Sequence, residues 1–393
     1  MRKLSLLSLI AMTGGLSAQG LLGILPTLEA VESKPFVYGV GISAGYDDNV
    51  NTTETDKTSS AYLGGNLSAA YRYSTETTSL KLGLKGGAQY YFGQDEGYDD
   101  TLYNAGLSLN LTRTVTDRLN FSNQFYLGYD FDPNFLTGAS MNRRNNEYLN
   151  GFGRLGINYI WTDRLSSTTS FSVAGTFYDD TSVDGSPNIG STEDRMEYGA
   201  GQLVRYALSE QLGLRAEYRF NYVDYDSGVD STSNILMGGV DYQFSENTMM
   251  VAMAGAEMYD SGLDGENVRP YAELGITHQM TEALSLGWVN RLGYESTGVG
   301  VYDSNYTYRT NLDIKYQWSE KFSTYAGVSY LYTDYSGGEG NTENLIEGRV
   351  GLNYAITEII GLGLNYTYTD LSSDLPGDSY SRQRINLGIN ATF

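Results

Sequence analysis

The sequence predicts an all-β protein: a single transmembrane antiparallel up-and-down β-barrel of about 18 strands, with short periplasmic turns and longer acidic extracellular loops. Three observations predict it. Apolar residues alternate with polar or small ones over ten or more positions at a time. A Ser/Thr–Asp/Glu dipeptide recurs between pairs of such segments. The final segment, RQRINLGINATF, keeps its alternation to Phe393.

The elements follow in chain order. Arg2 and Lys3 precede the apolar run Leu4 to Met12, with small residues after it. This reads as a signal peptide over residues 1–18, with cleavage after Ala18 or as late as Ala30; the run is too short for a membrane anchor. The barrel is expected over residues 35–393. In the first strand Phe36, Tyr38, Val40, Ile42, Ala44 and Tyr46 share one face, against Gly39, Gly41, Ser43 and Gly45. Leu80, Leu82, Leu84, Ala88, Tyr90 and Phe92 oppose Lys81, Gly83, Lys85, Gly87 and Gln89 in the same way. So do Leu312, Ile314, Tyr316 and Trp318 against Arg309, Asn311, Asp313, Lys315 and Gln317. Two stretches are weaker. VAMAGAEM does not choose a face, and Gln202 interrupts the apolar face of Met196 to Leu208.

Short polar residues that bond their own backbone close tight turns. They stand at Thr75-Glu76, Thr116-Asp117, Thr162-Asp163, Ser209-Glu210, Ser245-Glu246, Thr281-Glu282, Ser319-Glu320 and Thr357-Glu358. Longer polar stretches lie midway between them, so each repeat holds two strands. Eight turns join sixteen strands, and one more strand at either end makes eighteen. Alternation alone does not say which face meets lipid. Aromatic residues settle it, because they cluster at both strand ends: Tyr73, Trp161, Tyr206, Phe244 and Trp318 before short turns, and Tyr46, Phe92, Tyr129, Tyr222, Tyr294, Tyr332 and Tyr368 before long loops. Two such girdles mark the two membrane interfaces. Proline avoids the strands except at Pro270, as expected where lipid offers no substitute for a ladder bond.

Composition narrows the function. There is no Cys, so thiolate metal sites and disulfides are excluded. A net charge of −22 disfavours nucleic acid as a partner. The single His278 has the phase of the lipid-facing residues beside a short turn, so it is not placed for proton transfer, and no catalytic residue, cofactor or metal is expected. The Asp-rich loops miss the EF-hand spacing and read as solvated loops.

The terminal strand ending on Phe393 is similar to the carboxy-terminal assembly signal of Gram-negative outer-membrane proteins, which the barrel assembly machinery reads. More narrowly, GYDDNV (Gly45 to Val50) after the first strand, with the repeated turns, resembles the putative beta-barrel porin family of Gram-negative bacteria. The resemblance implies an outer-membrane location after Sec-dependent export, with lipid, lipopolysaccharide and the assembly machinery as partners. Some members resemble exopolysaccharide-export barrels, whose periplasmic export components would then be partners.

Eighteen strands leave an aqueous lumen, and no plug is expected before the first strand. The expected function is a porin-like channel for small hydrophilic solutes. A polymer-export pore and a structural or adhesive barrel are the alternatives. The alternation assigns Arg72, Lys81, Lys85, Arg154, Arg215, Glu217, Arg219, Arg291, Arg309, Asp313, Lys315, Glu347, Arg349 and Arg384 to the lumen wall. Arg215 with Glu217, and Asp313 with Lys315, are the expected charge pairs. The third long loop carries Phe135, Leu136 and Met141 beside Arg143 and Arg144, and is expected to fold inward and constrict the pore.

Overall fold

The computed structural model describes residues 35–94, 99–132, 147–178, 194–226, 229–262, 265–295, 304–336, 341–374 and 376–393. The signal peptide expected over residues 1–18 lies outside them. The described chain is a closed antiparallel sheet. Its first strands are β1 (Phe36–Asp47), β2 (Ser60–Ser74), β3 (Thr78–Tyr91), β4 (Thr101–Thr116), β5 (Leu119–Asp130) and β6 (Tyr148–Ile160). Next come β7 (Leu165–Tyr178), β8 (Arg195–Ala207), β9 (Leu212–Tyr225), β10 (Ser231–Ser245), β11 (Thr248–Asp260) and β12 (Glu266–Gln279). The wall is completed by β13 (Leu284–Glu295), β14 (Ser304–Gln317), β15 (Phe322–Ser336), β16 (Asn341–Ala355), β17 (Ile360–Ser373) and β18 (Tyr380–Thr392). Each strand pairs with its sequence neighbours, and β18 pairs with β1, closing the 18-stranded sheet without an edge.

All eight short turns fall where the dipeptides predict them, and the hydroxyl does the expected work. Thr162 Oγ1 accepts from Leu165 N at 3.0 Å, Ser209 Oγ from Leu212 N at 3.0 Å and Thr357 Oγ1 from Ile360 N at 2.9 Å. Thr75, Thr116, Ser245, Thr281 and Ser319 accept backbone N–H groups in the same way. The side chain thus stands in for a backbone acceptor and holds the reversal tight.

The period of two puts large apolar residues outward. Ile42 and Leu67 are each 66% exposed and Leu236 is 67% exposed, which suits a lipid-facing belt. Several polar side chains on this outer face find partners on the neighbouring strand, as lipid favours. Tyr218 Oη donates to Asn234 at 2.7 Å, Tyr330 Oη to Asn344 at 2.8 Å, and Thr169 Oγ1 to Gln202 at 2.6 Å. Gln202 therefore sits on the outer face, as its phase predicts, with a partner on the neighbouring strand. His278 also keeps its outward phase, beside Thr248 Oγ1 at 2.7 Å.

Two features depart from the sequence reading. Tyr294, expected in the loop-side girdle, is buried and stacks on Tyr259 with ring centroids 4.3 Å apart. Pro270 explains the departure. It pairs with Ala256 on β11, but the ladder from β12 to β13 begins only at Ala272, so the end of β13 is free to turn its ring inward. The second departure is apolar packing on the lumen side. Ile235, Met237, Met253 and Tyr271 form one buried cluster there, and Leu331, Leu345, Leu371 and Tyr380 form another. VAMAGAEM is resolved by the first of these. Met253 points inward into the cluster while Ala252, Ala254 and Ala256 face outward, because the side chains of this part of the wall are close enough to exclude water.

Candidate functional site: the lumen wall

Residues directly opposite in an antiparallel ladder share a face. The registers therefore carry every predicted lumen residue around one inner surface. Gln124 opposes Arg154, Leu203 opposes Glu217 and Gly201 opposes Arg219. Glu273 opposes Arg291, Arg291 opposes Arg309, Gly287 opposes Asp313 and Ser285 opposes Lys315. Ser329 opposes Glu347, Gly327 opposes Arg349 and Thr367 opposes Arg384. Arg72 opposes Lys81, and Ser68 opposes Lys85. The inward charges are confined to this surface by solvation, since lipid would not tolerate them.

The middle and loop-side part of this wall is bound into ion-pair networks. Glu217 accepts from Arg219 Nε at 2.6 Å, and Arg219 Nη1 donates to Glu273 Oε1 at 2.6 Å. Tyr271 Oη accepts from both Arg219 and Arg291 at 3.2 Å and donates to Glu273 at 2.6 Å. Arg291 and Arg309 then share Glu295, the latter at 2.6 Å. One connected network thus runs from β9 to β14. A second joins Arg349 to Asp313 at 3.3 Å, to Asn311 at 2.9 Å and to Glu347 at 3.5 Å. The expected pairs Arg215–Glu217 and Asp313–Lys315 are not the ones formed. Glu217 goes to Arg219, the other arginine two residues away on β9, and Asp313 goes to Arg349, whose long guanidinium reaches across β15.

Two glycines make such reach possible. Arg205, on β8, binds Asp241, on β10, through Nε at 2.8 Å and Nη2 at 2.5 Å. The pair passes over Gly213 of β9, where an added Cβ would lie 2.6 Å from the carboxylate and 2.8 Å from the guanidinium. Gly327 of β15 sits in the same way beneath Asp313 and Arg349, with an added Cβ 2.5 Å and 3.2 Å from their atoms. At both, a side chain would press on the ends of the ion pair and make it shift, so glycine leaves room for the pair as it stands.

The third network closes the barrel at β1–β18. Arg382 donates to Asp47 at 2.5 Å, and both side chains are buried. Arg384 meets Asp47 at 3.5 Å and Asp132 at 2.8 Å. GYDDNV belongs here. Asp48 Oδ1 accepts from Gln383 N at 2.6 Å, and Asn49 Nδ2 donates to Ser381 O at 3.0 Å. The motif clasps the first loop to the last strand.

Asp132 lies just beyond β5, five strands around the wall from β18, or about 24 Å at ~4.8 Å per strand. The root of the third loop therefore turns into the lumen, with Phe131 buried beside it. Burial raises the Asp132 carboxyl, but Arg384 and Arg382 outweigh it and hold the group below the usual carboxylate range. Phe135, Leu136, Met141, Arg143 and Arg144 lie outside the described residues.

The turn-side zone differs. Among the five strand residues nearest each turn, the inward cations are Arg72, Lys81, Arg205, Arg215 and Lys315, and the inward acids are Asp241 and Asp313. Both acids are already bound to arginines. Arg72 and Lys81 stand directly opposite each other, as do Arg205 and Arg215. Away from the turns, in the middle and loop-side part of β6 to β9, a cavity of about 110 Å³ is lined by Phe152, Arg154, Ser172, Glu197 and Arg219, with Glu273 of β12 among others. Among the described residues no group of three His, Asp or Glu side chains is placed to hold a metal.

Several wall residues escaped sequence reasoning. Arg195 is 1% exposed and bonds Glu197 at 3.2 Å; its phase with Glu197 and Gly199 was the available signal. Asp47 and Asp132 carried only the look of loop acids. Tyr271 follows directly on Pro270 and is in phase with Glu273.

Among solved structures, the chain is similar to Acinetobacter baumannii OccAB4 at 10% identity, covering 92% of this chain and 99% of that one, with a TM-score of 0.46. It is similar to Pseudomonas aeruginosa OpdK with vanillate at 12% identity, with coverages of 91% and 99% and a TM-score of 0.46. The siderophore receptor PirA from Pseudomonas aeruginosa is similar at 13% identity, with coverages of 91% and 80% and a TM-score of 0.41. No curated protein matches the chain in sequence. The signature of the family described as "Putative beta-barrel porin 2" matches residues 37–393, which is the whole barrel from its second residue, and the chain belongs to that family of outer-membrane proteins.

Proposed function

We propose that the barrel is a passive outer-membrane channel for small hydrophilic solutes, wide and cationic at the turn side and narrowed toward the loops by its own paired side chains. The observation that carries this reading is the closed 18-stranded wall with large apolar residues outside and charged residues inside. Family membership supports it, and the reading assigns the barrel no catalytic role. The ion pairs serve the channel by keeping long side chains on the wall in fixed positions while contributing little net charge where the path is narrowest. Nothing in the family match favours polymer export. Export by the Sec route, partnership with lipopolysaccharide and assembly through recognition of Phe393 belong to the same proposal. Planar-bilayer recording tests the channel, with liposome swelling in sugars of graded size. Discrete conductance steps and swelling that falls with sugar size are expected. A correctly folded barrel that neither conducts nor admits the smallest sugar would refute the reading.

A further inference from the structure

Arg215 stands apart from every other arginine of the wall. It is 6% exposed, yet it makes no hydrogen bond or ion pair with any described residue, and its Nε is enclosed without a partner. The two carboxylates near it are committed elsewhere: Glu217 to Arg219 at 2.6 Å, and Asp241 to both Nε and Nη2 of Arg205. Its direct cross-strand neighbours are Arg205 on β8 and Gly239 on β10, a like charge and no side chain. A buried cation that feels nearby carboxylates but bonds to none of them is costly. Arg291 and Arg309 form the same opposed arrangement, and there Glu295 neutralises both. At Arg205 and Arg215 only the first is bonded to a carboxylate.

We propose that Arg215 is the docking side chain of an anion-binding subsite in the turn-side lumen, taking the oxyanion group of a small solute, a carboxylate or a phosphate. The solute supplies the hydrogen-bond acceptors that the wall withholds, through the planar fork that suits two oxygens of one group. The zone around it agrees. Lys81 on β3 and Lys315 on β14 stand at the same turn-side level, six and five strands around the wall from Arg215, and without an ion pair they add to the cationic field of this end of the lumen. This deepens the channel reading and rests on it only for the current measurement below.

The direct test is the Nε–H resonance of Arg215 in the full-length barrel in detergent, identified by its loss in Arg215→Lys. Sodium acetate and sodium phosphate are titrated separately, with sodium chloride at matched ionic strength as control. The resonance is expected to move with acetate, with phosphate or with both, which identifies the source of the oxyanion, and to stay with chloride. No movement with either, or equal movement with chloride, overturns the subsite. Stability gives a second readout. Arg215→Met orphans no partner, so its unfolding midpoint is expected to match or exceed wild type; a lowered midpoint overturns the claim that Arg215 is unpaired. In bilayers, Arg215→Ala is expected to lower the anion-to-cation permeability ratio by at least about twofold, and Arg215→Lys to keep most of it. A barrel that binds acetate but does not conduct removes the channel and leaves the subsite. One that conducts without the resonance shift removes the subsite alone.

Discussion

The two ends of the lumen use the same residue types to opposite effect. Near the loops and through the middle, inward arginines are matched by Asp47, Asp132, Glu217, Glu273, Glu295 and Glu347, and the wall is dense and paired. Near the turns, Lys81, Lys315 and Arg215 have no carboxylate bound to them. Packing density decides which role a charge takes. Where the wall excludes water, an unpaired charge is expensive and partners are found. Where water reaches the side chain, a cation can stand alone and its field extends into the lumen. Arg215 is the exception, since it is buried among the unpaired.

This contrast predicts unequal responses to mutation. The largest is expected at the β1–β18 junction. Asp47→Ala takes from the buried Arg382 its nearest carboxylate, at 2.5 Å, and leaves the more distant Asp132 at 3.5 Å, and about 3–5 kcal/mol of stability should be lost, read from urea unfolding in lipid vesicles. A loss below about 1 kcal/mol would mean that the loop-side network is not what holds the barrel shut. Gly213→Val comes next. The added side chain collides with the Arg205–Asp241 pair, and about 1–3 kcal/mol should go with it. The Asp132 latch is smaller and depends on pH. Because its folded carboxyl lies below the unfolded value of ~3.9, its contribution is complete above that value and is lost as pH falls through the lower folded one. Protease cutting near the third loop should therefore rise only in strong acid, and Asp132→Asn should cut equally at all pH values. Lys81→Ala should be the mildest, within about 0.5 kcal/mol of wild type. It should still move the reversal potential toward cations. A stability loss there comparable to that of Asp47→Ala would erase the distinction between the two ends.

Much of this architecture is written locally and is legible for that reason. A period of two fixes the face of a side chain within a few residues, and the Ser/Thr turn bonds a backbone group two or three positions ahead. Eighteen strands, eight turns and the inward set of charges follow from those rules. What the rules leave open is which inward residues meet. Arg219 and Glu273 lie three strands apart, and Arg349 reaches Asp313 across Gly327; neither contact depends on sequence neighbours. The Ile235–Met253 cluster was hidden because both faces of that strand pair are apolar, so the period carries no sign. Tyr294 was misassigned because Pro270, on another strand, ends the ladder that would have held it outward.

The clasp between the first loop and the last strand has a consequence for how the wall finds its alignment. Seventeen junctions of the sheet are set by a connecting turn or loop. The eighteenth, β1 with β18, joins residues 335 positions apart and has no connection to fix its register. It carries the highest loop-closure cost of any contact in the barrel. A slip of two residues there would keep every side chain on its proper face and leave the backbone ladder intact. It would be invisible to hydropathy. It would not be invisible to Asp47, which in one direction moves opposite Asn386, nor to Asp48 and Asn49, whose bonds to Gln383 and Ser381 break in either direction. The GYDDNV stretch thus acts as a vernier, distinguishing the correct closure from its nearest neighbours.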